Sequence, residues 1–359
     1  MNIVFDNIIF ALQRAGGISV YWYELLRQTM QDNQSVHFIE RGESKSNIFR
    51  KTLNIDPSSL MADRPLPLSI ARYLPFKSIK DAQTIHHSSY YRIPEQRGSL
   101  SVTTVHDFTY ERFRRGPAQI IHSLQKRAAV KSASGIICVS ESTKRDLLEF
   151  YPEVAAESIR VIYHGVSEHY RPLWPVDKRL LPSGFLDAPF VLFVGGREFY
   201  KNFHLALESV AALPGYWFVS VGGGELKPSE AELSQKLLPG RHMHFPVVDN
   251  ERLNLFYNCA YALLYPSSYE GFGIPIIEAM AAGCPVIAAN VSAIPEACGD
   301  AGLLVNEIRP ETFSAQILRL ENSEFRSETI RKGYKQAGQF SWEACYLETM
   351  AFYEKVLQE

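Results

Sequence analysis

The sequence lacks the motifs that mark several large classes of enzyme. It contains no HExxH, no phosphate-binding P-loop, no GxSxG and no DxD. Serine hydrolysis of the nucleophile-elbow type, and catalysis by a metal held in one of these motifs, therefore have no support in the sequence. We expect neither a metal nor any other cofactor.

Cysteines and long apolar runs are also scarce. The 359 residues include five cysteines, and no two of them form a CxxC pair. An odd number of widely spaced cysteines is typical of a reducing compartment rather than of a disulfide framework. No apolar run reaches the ~18 residues of a membrane span, and no basic segment precedes the apolar residues at the N-terminus. We therefore predict a cytoplasmic protein without a secretory signal.

The overall charge is close to neutral, but it is distributed unevenly. The formal net charge is −2, with a net +5 in residues 1–165 and a net −7 in residues 166–359. A basic front half favours an anionic partner or an anionic membrane surface, although scatter of this size explains it equally well. We predict no nucleic-acid partner.

Short apolar segments alternate with helical patterns along the whole chain. Apolar segments separated by helices predict an α/β protein with parallel sheets and helices on both faces. Residues 167–189 are rich in proline and have no periodicity, which predicts a linker. We therefore expect two doubly wound, Rossmann-like domains facing a central cleft. The predicted strands are 2–5, 35–40, 84–89, 101–107, 135–140 and 159–166 in the first domain (1–166), and 190–196, 216–224, 242–248, 261–267, 284–289 and 301–305 in the second (190–340).

The stretch SSYEGFGIPIIEAMAAGCPVIA, residues 267–288, has the features of an anion site. It follows a predicted strand, and its glycines allow close approach to backbone N–H groups at the start of a helix. The carboxylates of Glu270 and Glu278 would repel a phosphate, so we interpret them as acceptors for hydroxyl groups. A ligand with hydroxyls at both ends and phosphate between them is a nucleotide sugar. Two solvated glutamates flanking a turn are the alternative.

Two cations follow the first strand of the second domain. Arg197 and Lys201 lie in VGGREFYKN, where they could neutralise a diphosphate leaving group. A charged loop without a function fits the same pattern. The triplet Gly222–Gly224, after the next strand, is interpreted as structural.

The first domain offers weaker signals. Gly16 and Gly17 lie in its first loop between strand and helix, but GxGxxG is missing, so an NAD site is not predicted. His106 and Asp107 end a strand in TVHDF. A histidine there could contact a ligand, with the aspartate fixing its tautomer, or it could be a structural residue.

These motifs together resemble a known family. EGFGIPIIE followed by AMAAGCPVIAA looks like the signature of the retaining GT-B glycosyltransferases of family 4. VGGREFYKN, the early GG, VHD, ICVSESTKRDL and SAIPEACGDAGLLV are similar to that family's local patterns, in the same order. The last segment, 341–359, resembles the family's final helix, which returns to the first domain. The interval between Arg197 and Lys201 is one residue shorter than in many members.

The resemblance implies roles for individual residues. Arg197 and Lys201 would bind the donor diphosphate, and Glu270 and His106 would contact the transferred sugar. Glu278 would bind the nucleotide ribose. The remaining donor contacts implied by the family are Gly16, Gly17, Val247, Val248, Gly271, Phe272, Gly273 and Ile274.

The resemblance also implies an activity. We expect metal-independent transfer of a hexose, with mannose from GDP-mannose as the favoured donor. The acceptor would be a growing bacterial surface glycan (O-antigen, capsule or exopolysaccharide) carried on a polyprenyl diphosphate. A nucleotide-sugar 2-epimerase of the same fold and a noncatalytic nucleotide-sugar-binding module are the alternatives.

A basic stretch bears on where the protein acts. Residues 111–131 carry six Lys or Arg and one acid, with Ile120, Ile121 and Leu124 on a predicted helix. Such a helix could lie on the inner face of the cytoplasmic membrane. An ordinary amphipathic surface helix fits equally well.

Overall fold

The computed structural model describes residues 1–32, 34–79, 81–177, 180–181 and 188–358. The chain divides into two compact units. The first contains Met1–Gly165 and the C-terminal segment from Trp342, and the second is Val166–Ser341.

The first unit is built on a seven-stranded sheet in which all strand pairs are parallel. The strand order is β3-β2-β1-β4-β5-β6-β7. Strands such as β4 and β5 are buried at every residue, because helices cover both faces of a parallel sheet. The strands are β1 (Asn2–Asp6), β2 (Ser35–Glu40), β3 (Leu60–Ala62), β4 (Thr84–Ser88), β5 (Ser101–Val105), β6 (Gly135–Cys138) and β7 (Ile159–Val161).

The helices of this unit include three short ones that the sequence did not predict, α1, α3 and α4. The N-terminal caps are of two kinds: Ser140 accepts the amide of Thr143 at the start of α6, whereas Pro117 begins α5. The helices are α1 (Ile8–Leu12), α2 (Gly17–Gln31), α3 (Leu68–Ala71), α4 (Thr109–Phe113), α5 (Pro117–Ser132) and α6 (Glu141–Phe150).

The second unit repeats the plan with a six-stranded parallel sheet. Its order is β10-β9-β8-β11-β12-β13. Strands β8 and β11 are therefore neighbours although about seventy residues separate them, and their carboxyl ends lie at one edge of the sheet. The strands are β8 (Phe190–Val194), β9 (Trp217–Val221), β10 (His242–Phe245), β11 (Ala262–Tyr265), β12 (Val286–Ala289) and β13 (Leu303–Val305).

A helix follows each strand of the second unit. Ligands of such sheets bind beyond the carboxyl ends of the strands, where the loops into these helices lie. The helices are α7 (Phe203–Ala211), α8 (Pro228–Leu237), α9 (Asn250–Cys259), α10 (Ile274–Ala281), α11 (Ile294–Cys298), α12 (Pro310–Arg319) and α13 (Ser323–Ala337).

The last helix, α14 (Trp342–Gln358), belongs to the first unit. Tyr353 is fully buried, and its hydroxyl hydrogen-bonds Nδ1 of His87 on β4. Gly135 lets the helix approach β6, since a Cβ at that position would lie 2.8 Å from atoms of Phe352 and Val356.

The described part of the predicted linker packs as part of the second unit. Its backbone is held by two asparagines of α9: the amide of Arg171 donates to Asn254 at 3.1 Å, and that of Leu173 donates to Asn258 at 2.8 Å. Side-chain amides satisfy an extended backbone without requiring periodicity in the segment. Residues 178–179 and 182–187 of the predicted linker lie outside the described residues.

Candidate active site

The loops that leave β8 and β11 are tied together by hydrogen bonds. The amide of Ser268 donates to the carbonyl of Tyr200 at 2.7 Å, and the side chain of Asn202 donates to the carbonyl of Pro266 at 2.8 Å. Asn202 has a left-handed backbone conformation (φ 53°), which asparagine tolerates better than most residues. These bonds bring Lys201 and Glu270 together.

Lys201 and Glu270 form an ion pair, with Nζ 2.9 Å from Oε1. The two side chains remain 16% and 13% exposed. Burial alone would lower the pKa of Lys201, but the Glu270 carboxylate raises it above its usual range. Lys201 is therefore a permanent cation at the edge of the sheet.

The glycine-rich segment after Glu270 leads into α10. The amide of Glu270 donates to Oγ of Ser292 at 2.9 Å, which fixes the start of the segment. Gly273 precedes the helix with φ 108°, a conformation that favours glycine. The side chain of Phe272 is buried against Phe340, with ring centroids 5.5 Å apart, which anchors the segment. The start of α10 at Ile274, beside Gly271 and Gly273, can therefore present amides to an anion.

Glu278 lies on α10, one turn beyond its start. The hydroxyl of Tyr257 on α9 donates to its Oε2 at 3.0 Å. Burial raises the pKa of Glu278 to about 7, and hydrogen bonds from Tyr257 and Tyr170 oppose that rise. The carboxyl group therefore titrates near neutral pH.

Arg197 is more heavily engaged than the sequence predicts. Its Nε donates to Oε2 of Glu230 at 2.8 Å. Its Nη1 and Nη2 groups donate to the carbonyls of residues 222–225, at 2.7 Å for Gly222 and 2.6 Å for Glu225. The side chain is only 4% exposed. Arg197 and Lys201 lie on one loop, but each has its own carboxylate.

Val247 and Val248 follow β10, in the loop before α9. Val247 is 77% exposed. The loop ends at Asp249, which caps α9 by accepting the amide of Arg252 at 2.8 Å.

His106 lies in the first unit, at the carboxyl end of β5. Burial lowers its pKa to about 3, with contributions from His87 and Lys126, so the ring is neutral at physiological pH. Its Nε2 is buried and has no hydrogen-bond partner among the described residues. A buried nitrogen without a partner is costly, which suits a group that a ligand satisfies.

Gly16 and Gly17 mark the start of α2 in the same unit. Gly16 is the N-cap residue and its carbonyl accepts Oγ of Ser19 at 2.9 Å. A Cβ at Gly16 would lie 2.7 Å from the side chain of Gln13. Gly17 is exposed and is the first helical residue, so its amide is one of those that have no acceptor within α2.

Two family models match the chain. "Glycosyltransferase Family 4" matches residues 15–170, and "Glycosyl transferases group 1" matches residues 182–336. O-antigen chain mannosyltransferase B of Escherichia coli is 30% identical over 285 residues, which cover 75% of this chain and 74% of that protein. The chain belongs to the family 4 glycosyltransferases. The family resemblance predicted from the motifs is confirmed, and the chain is a glycosyltransferase.

Other relatives differ in their reactions. Alpha-maltose-1-phosphate synthase of Mycolicibacterium smegmatis is 28% identical, over 66% of this chain and 67% of its own. Sucrose-phosphate synthase of Thermosynechococcus elongatus has a similar structure, with a TM-score of 0.75 at 19% identity, covering 100% of this chain and 99% of its own. That likeness confirms the predicted GT-B fold of two Rossmann-like domains.

The structure revises the interpretation of the basic stretch, residues 111–131. Four of its six cations are paired with carboxylates, namely Arg112, Lys126, Arg127 and Lys131. Lys126 is fully buried, so it cannot face a membrane. The exposed features are Arg114 and Arg115, and the apolar side chains Ile120, Ile121 and Leu124, which are 48–60% exposed.

Several residues around the site gave no signal in the sequence. Glu230, Tyr257, Tyr170 and Ser292 each contact a predicted site residue, but all lie far from it along the chain. Only the triplet Gly222–Gly224 stood out, and it was interpreted as structural. Its carbonyls accept hydrogen bonds from Arg197, which is a structural role that the sequence did not specify.

Two features are absent from the described residues. Those residues contain no group of three or more His, Cys, Asp or Glu side chains placed to hold a metal ion. None of their helices combines the length and the apolar character that crossing a bilayer requires.

Proposed function

We propose that this glycosyltransferase moves mannose from GDP-mannose, with retention of anomeric configuration, to a lipid-linked bacterial surface glycan. The observation that carries the proposal is the Lys201–Glu270 pair beside the N-terminus of α10. A cation and free helix amides suit a diphosphate, while a carboxylate next to them suits sugar hydroxyls.

The charge arrangement supports stabilisation of a leaving group. As the bond between the sugar C1 and the phosphate oxygen breaks, its electron pair passes to that oxygen of the diphosphate. Lys201 and the amides at the start of α10 then face more negative charge than in the ground state, so they lower the barrier. Lys201 also separates the diphosphate from the carboxylate of Glu270.

Retention follows if the acceptor attacks the face from which the diphosphate departs. The acceptor oxygen forms the new bond to C1, and its proton passes to the released diphosphate oxygen. No protein nucleophile is needed in this scheme. His106 is neutral, and its buried Nε2 suits a hydrogen bond to the sugar rather than proton abstraction.

The nucleoside half of the donor would use the rest of α10 and the loop after β10. Ionised Glu278 accepts the two ribose hydroxyls, and Val247 and Val248 pack on the base. Gly16 and Gly17 offer amides at the start of α2 to the phosphates. Mannose is favoured because a mannosyltransferase is 30% identical over three quarters of the chain.

A lipid-linked acceptor is supported by the exposed face of α5. Ile120, Ile121 and Leu124 are apolar side chains in contact with solvent, and Arg114 and Arg115 precede them. Apolar side chains next to cations suit the surface of an anionic bilayer, which brings a polyprenyl diphosphate within reach. Charge reversal at Arg114 and Arg115 should remove a preference for anionic over neutral vesicles, and equal binding to both by the native protein would contradict membrane contact.

The donor is tested with a panel of nucleotide sugars and lipid-linked acceptors, in the presence and absence of EDTA. We expect mannosylated product from GDP-mannose, with the anomeric configuration of the donor by NMR and no loss of rate with EDTA. If product forms only from another nucleotide sugar, the assignment of GDP-mannose as the donor is wrong. Conversion of the donor without an acceptor would indicate an epimerase, and binding without turnover would indicate a noncatalytic module.

A further inference from the structure

Three consecutive glycine carbonyls surround the guanidinium of Arg197. Gly222, Gly223 and Gly224 have φ of 92°, 75° and 73°, a left-handed run that side chains rarely adopt. This run turns their carbonyl oxygens, and that of Glu225, toward Arg197 at 2.6–3.3 Å. A Cβ at Gly223 would lie 2.7 Å from Nη1 of Arg197. We call residues 222–225 the glycine loop.

Glu230 holds the other side of the guanidinium. Its Oε2 accepts Nε of Arg197 at 2.8 Å and also the backbone amide of Lys227 at 2.9 Å. Glu230 lies in the first turn of α8, where the Lys227 amide holds its carboxylate in place. This contact does not depend on Arg197. Burial would raise the pKa of Glu230, but the Lys227 amide and Arg197 hold it below its usual range.

A chain of hydrogen bonds supports the glycine loop from β9 and β10. Nε2 of His244 lies 2.7 Å from the carbonyl of Gly224, and Nδ1 lies 2.8 Å from Oγ of Ser220. A carbonyl only accepts, so Nε2 of His244 carries the proton and Nδ1 accepts from the serine hydroxyl. Ser220 in turn accepts from Nε2 of His242 at 2.9 Å. Burial lowers the pKa of His244, which favours this neutral tautomer.

The contacts leave Arg197 with little freedom. Nε and Nη2 are bonded within the protein, and Nη1 donates once, to Gly222. One N–H of Nη1 therefore has no acceptor among the described residues. A fixed arginine with a single available N–H can offer a phosphate oxygen one directed bond but not a bidentate fork.

We propose that Glu230 and His244 are positioning residues that aim this N–H of Arg197 at the donor diphosphate, with the glycine loop between them. The proposal rests on the proposed function, because it assumes that Arg197 binds the diphosphate. Neither Glu230 nor His244 touches the donor, and each acts only through Arg197.

A double-mutant cycle distinguishes an effect that acts through Arg197 from one that is independent of Arg197. Glu230→Ala and His244→Leu should each weaken binding of GDP, measured by calorimetry, and lower kcat/KM for GDP-mannose, both by roughly tenfold. In an Arg197→Ala background the same substitutions should change either quantity by less than about twofold, because their target is gone. Equal losses in both backgrounds would overturn the proposal.

Conservative variants test the chemistry of each contact. Glu230→Gln keeps an oxygen acceptor and His244→Gln keeps an N–H donor, so both should recover most of the GDP binding that Glu230→Ala and His244→Leu lose. The matched control is Lys227→Ala, which removes an exposed side chain 3.9 Å from Glu230 but keeps the backbone amide, and it should bind GDP like the native enzyme. Failure of both conservative variants to recover binding would contradict the positioning role.

The outcomes distinguish the inference from the proposed function. If Arg197→Ala weakens GDP binding but Glu230→Ala and His244→Leu do not, only the positioning role is wrong. If Arg197→Ala leaves GDP binding and turnover unchanged, the diphosphate contact itself is wrong and the inference falls with it. The Tm of every variant should stay within a few degrees of that of the native enzyme. A loss of binding then cannot be attributed to unfolding.

Discussion

The two units each contain a lysine–glutamate pair near the carboxyl end of a strand, and the pairs differ in burial. Lys126 and Glu111 of the first unit are 0% and 4% exposed, with Nζ 2.8 Å from Oε2. Lys201 and Glu270 of the second unit have nearly the same separation but are 16% and 13% exposed. The same two residue types therefore form a fully buried pair in one place and, in another, a partly exposed pair that the proposed function assigns to donor binding.

Their surroundings explain the difference. Lys126 also donates to the carbonyl of Asp107 at 2.8 Å and packs over the ring of Phe108, so it is fully used within the protein. Burial lowers the pKa of Lys126 although Glu111 opposes this. Burial also acts to lower the pKa of Lys201, but Glu270, Tyr200 and Glu198 together raise it above its usual range. Desolvation is the largest single influence on both lysines, and only at Lys201 do the surrounding negative and polar groups together exceed it.

The largest effect should come from breaking the buried pair. Lys126→Ala leaves the carboxylate of Glu111 buried without its cation and should cost about 3–5 kcal/mol of unfolding free energy. Chemical denaturation measures it, with Arg127→Ala as control, because the pair of Arg127 with Glu153 is at the surface. A Lys126→Met, Glu111→Leu double variant should recover most of the loss. A negligible change in Lys126→Ala would contradict the structural role.

The next effect should appear in turnover rather than stability. In the proposed mechanism Lys201 faces the leaving diphosphate, so Lys201→Ala should lower kcat at least ~100-fold while thermal unfolding is nearly unchanged. Lys332→Ala, on the exposed surface of the same unit, is the control. Near-native turnover in Lys201→Ala would remove Lys201 from the site. If the variant instead unfolds, the Lys201–Glu270 pair is needed for stability, as the Lys126–Glu111 pair is expected to be.

The two glutamates of the site should differ in kind. Glu278→Gln should weaken binding of GDP roughly tenfold, since a charged acceptor of the ribose is lost. Glu270→Gln should leave GDP binding intact, because its partner is the sugar, and should lower the transfer rate instead. Calorimetry with GDP beside transfer kinetics separates them. If Glu270→Gln weakens GDP binding as much as Glu278→Gln does, the sugar is placed wrongly.

The smallest effect is a dependence on pH. The raised pKa of Glu278, about 7, means that the carboxylate form becomes populated as pH rises. Affinity for GDP-mannose should therefore increase about threefold between pH 6.5 and 7.5, if only the ionised form binds the ribose. The same pKa shift predicts an effect on stability. Protonated Glu278 stabilises the folded state at low pH, and this contribution to the free energy of unfolding is lost as pH rises through about 7. Glu278→Gln should abolish both trends, and a pH profile that survives the substitution would assign them to another group.

Local sequence was enough to predict the architecture. Continuous apolar segments predict buried parallel strands, and glycines with a proline predict the loop before α10. Both predictions succeed because the conformational preferences involved are local properties of the residues. Short elements such as β3 (Leu60–Ala62) were not predicted, because three residues are too few to show a hydrophobic pattern. The described part of the predicted linker was placed in the second unit by asparagines of α9, which the segment's own residues do not reveal.

The sequence by itself also determined which residue types stand at the site: cations after β8, carboxylates and glycines after β11. What those groups do was decided by tertiary structure. Glu270 meets Lys201 across 69 positions of chain, Arg197 meets Glu230 across 33, and burial among tyrosines raises the pKa of Glu278. Charge state and availability depend on distance and desolvation, and these exist only once parallel strands have brought distant segments of the chain to one edge of a sheet.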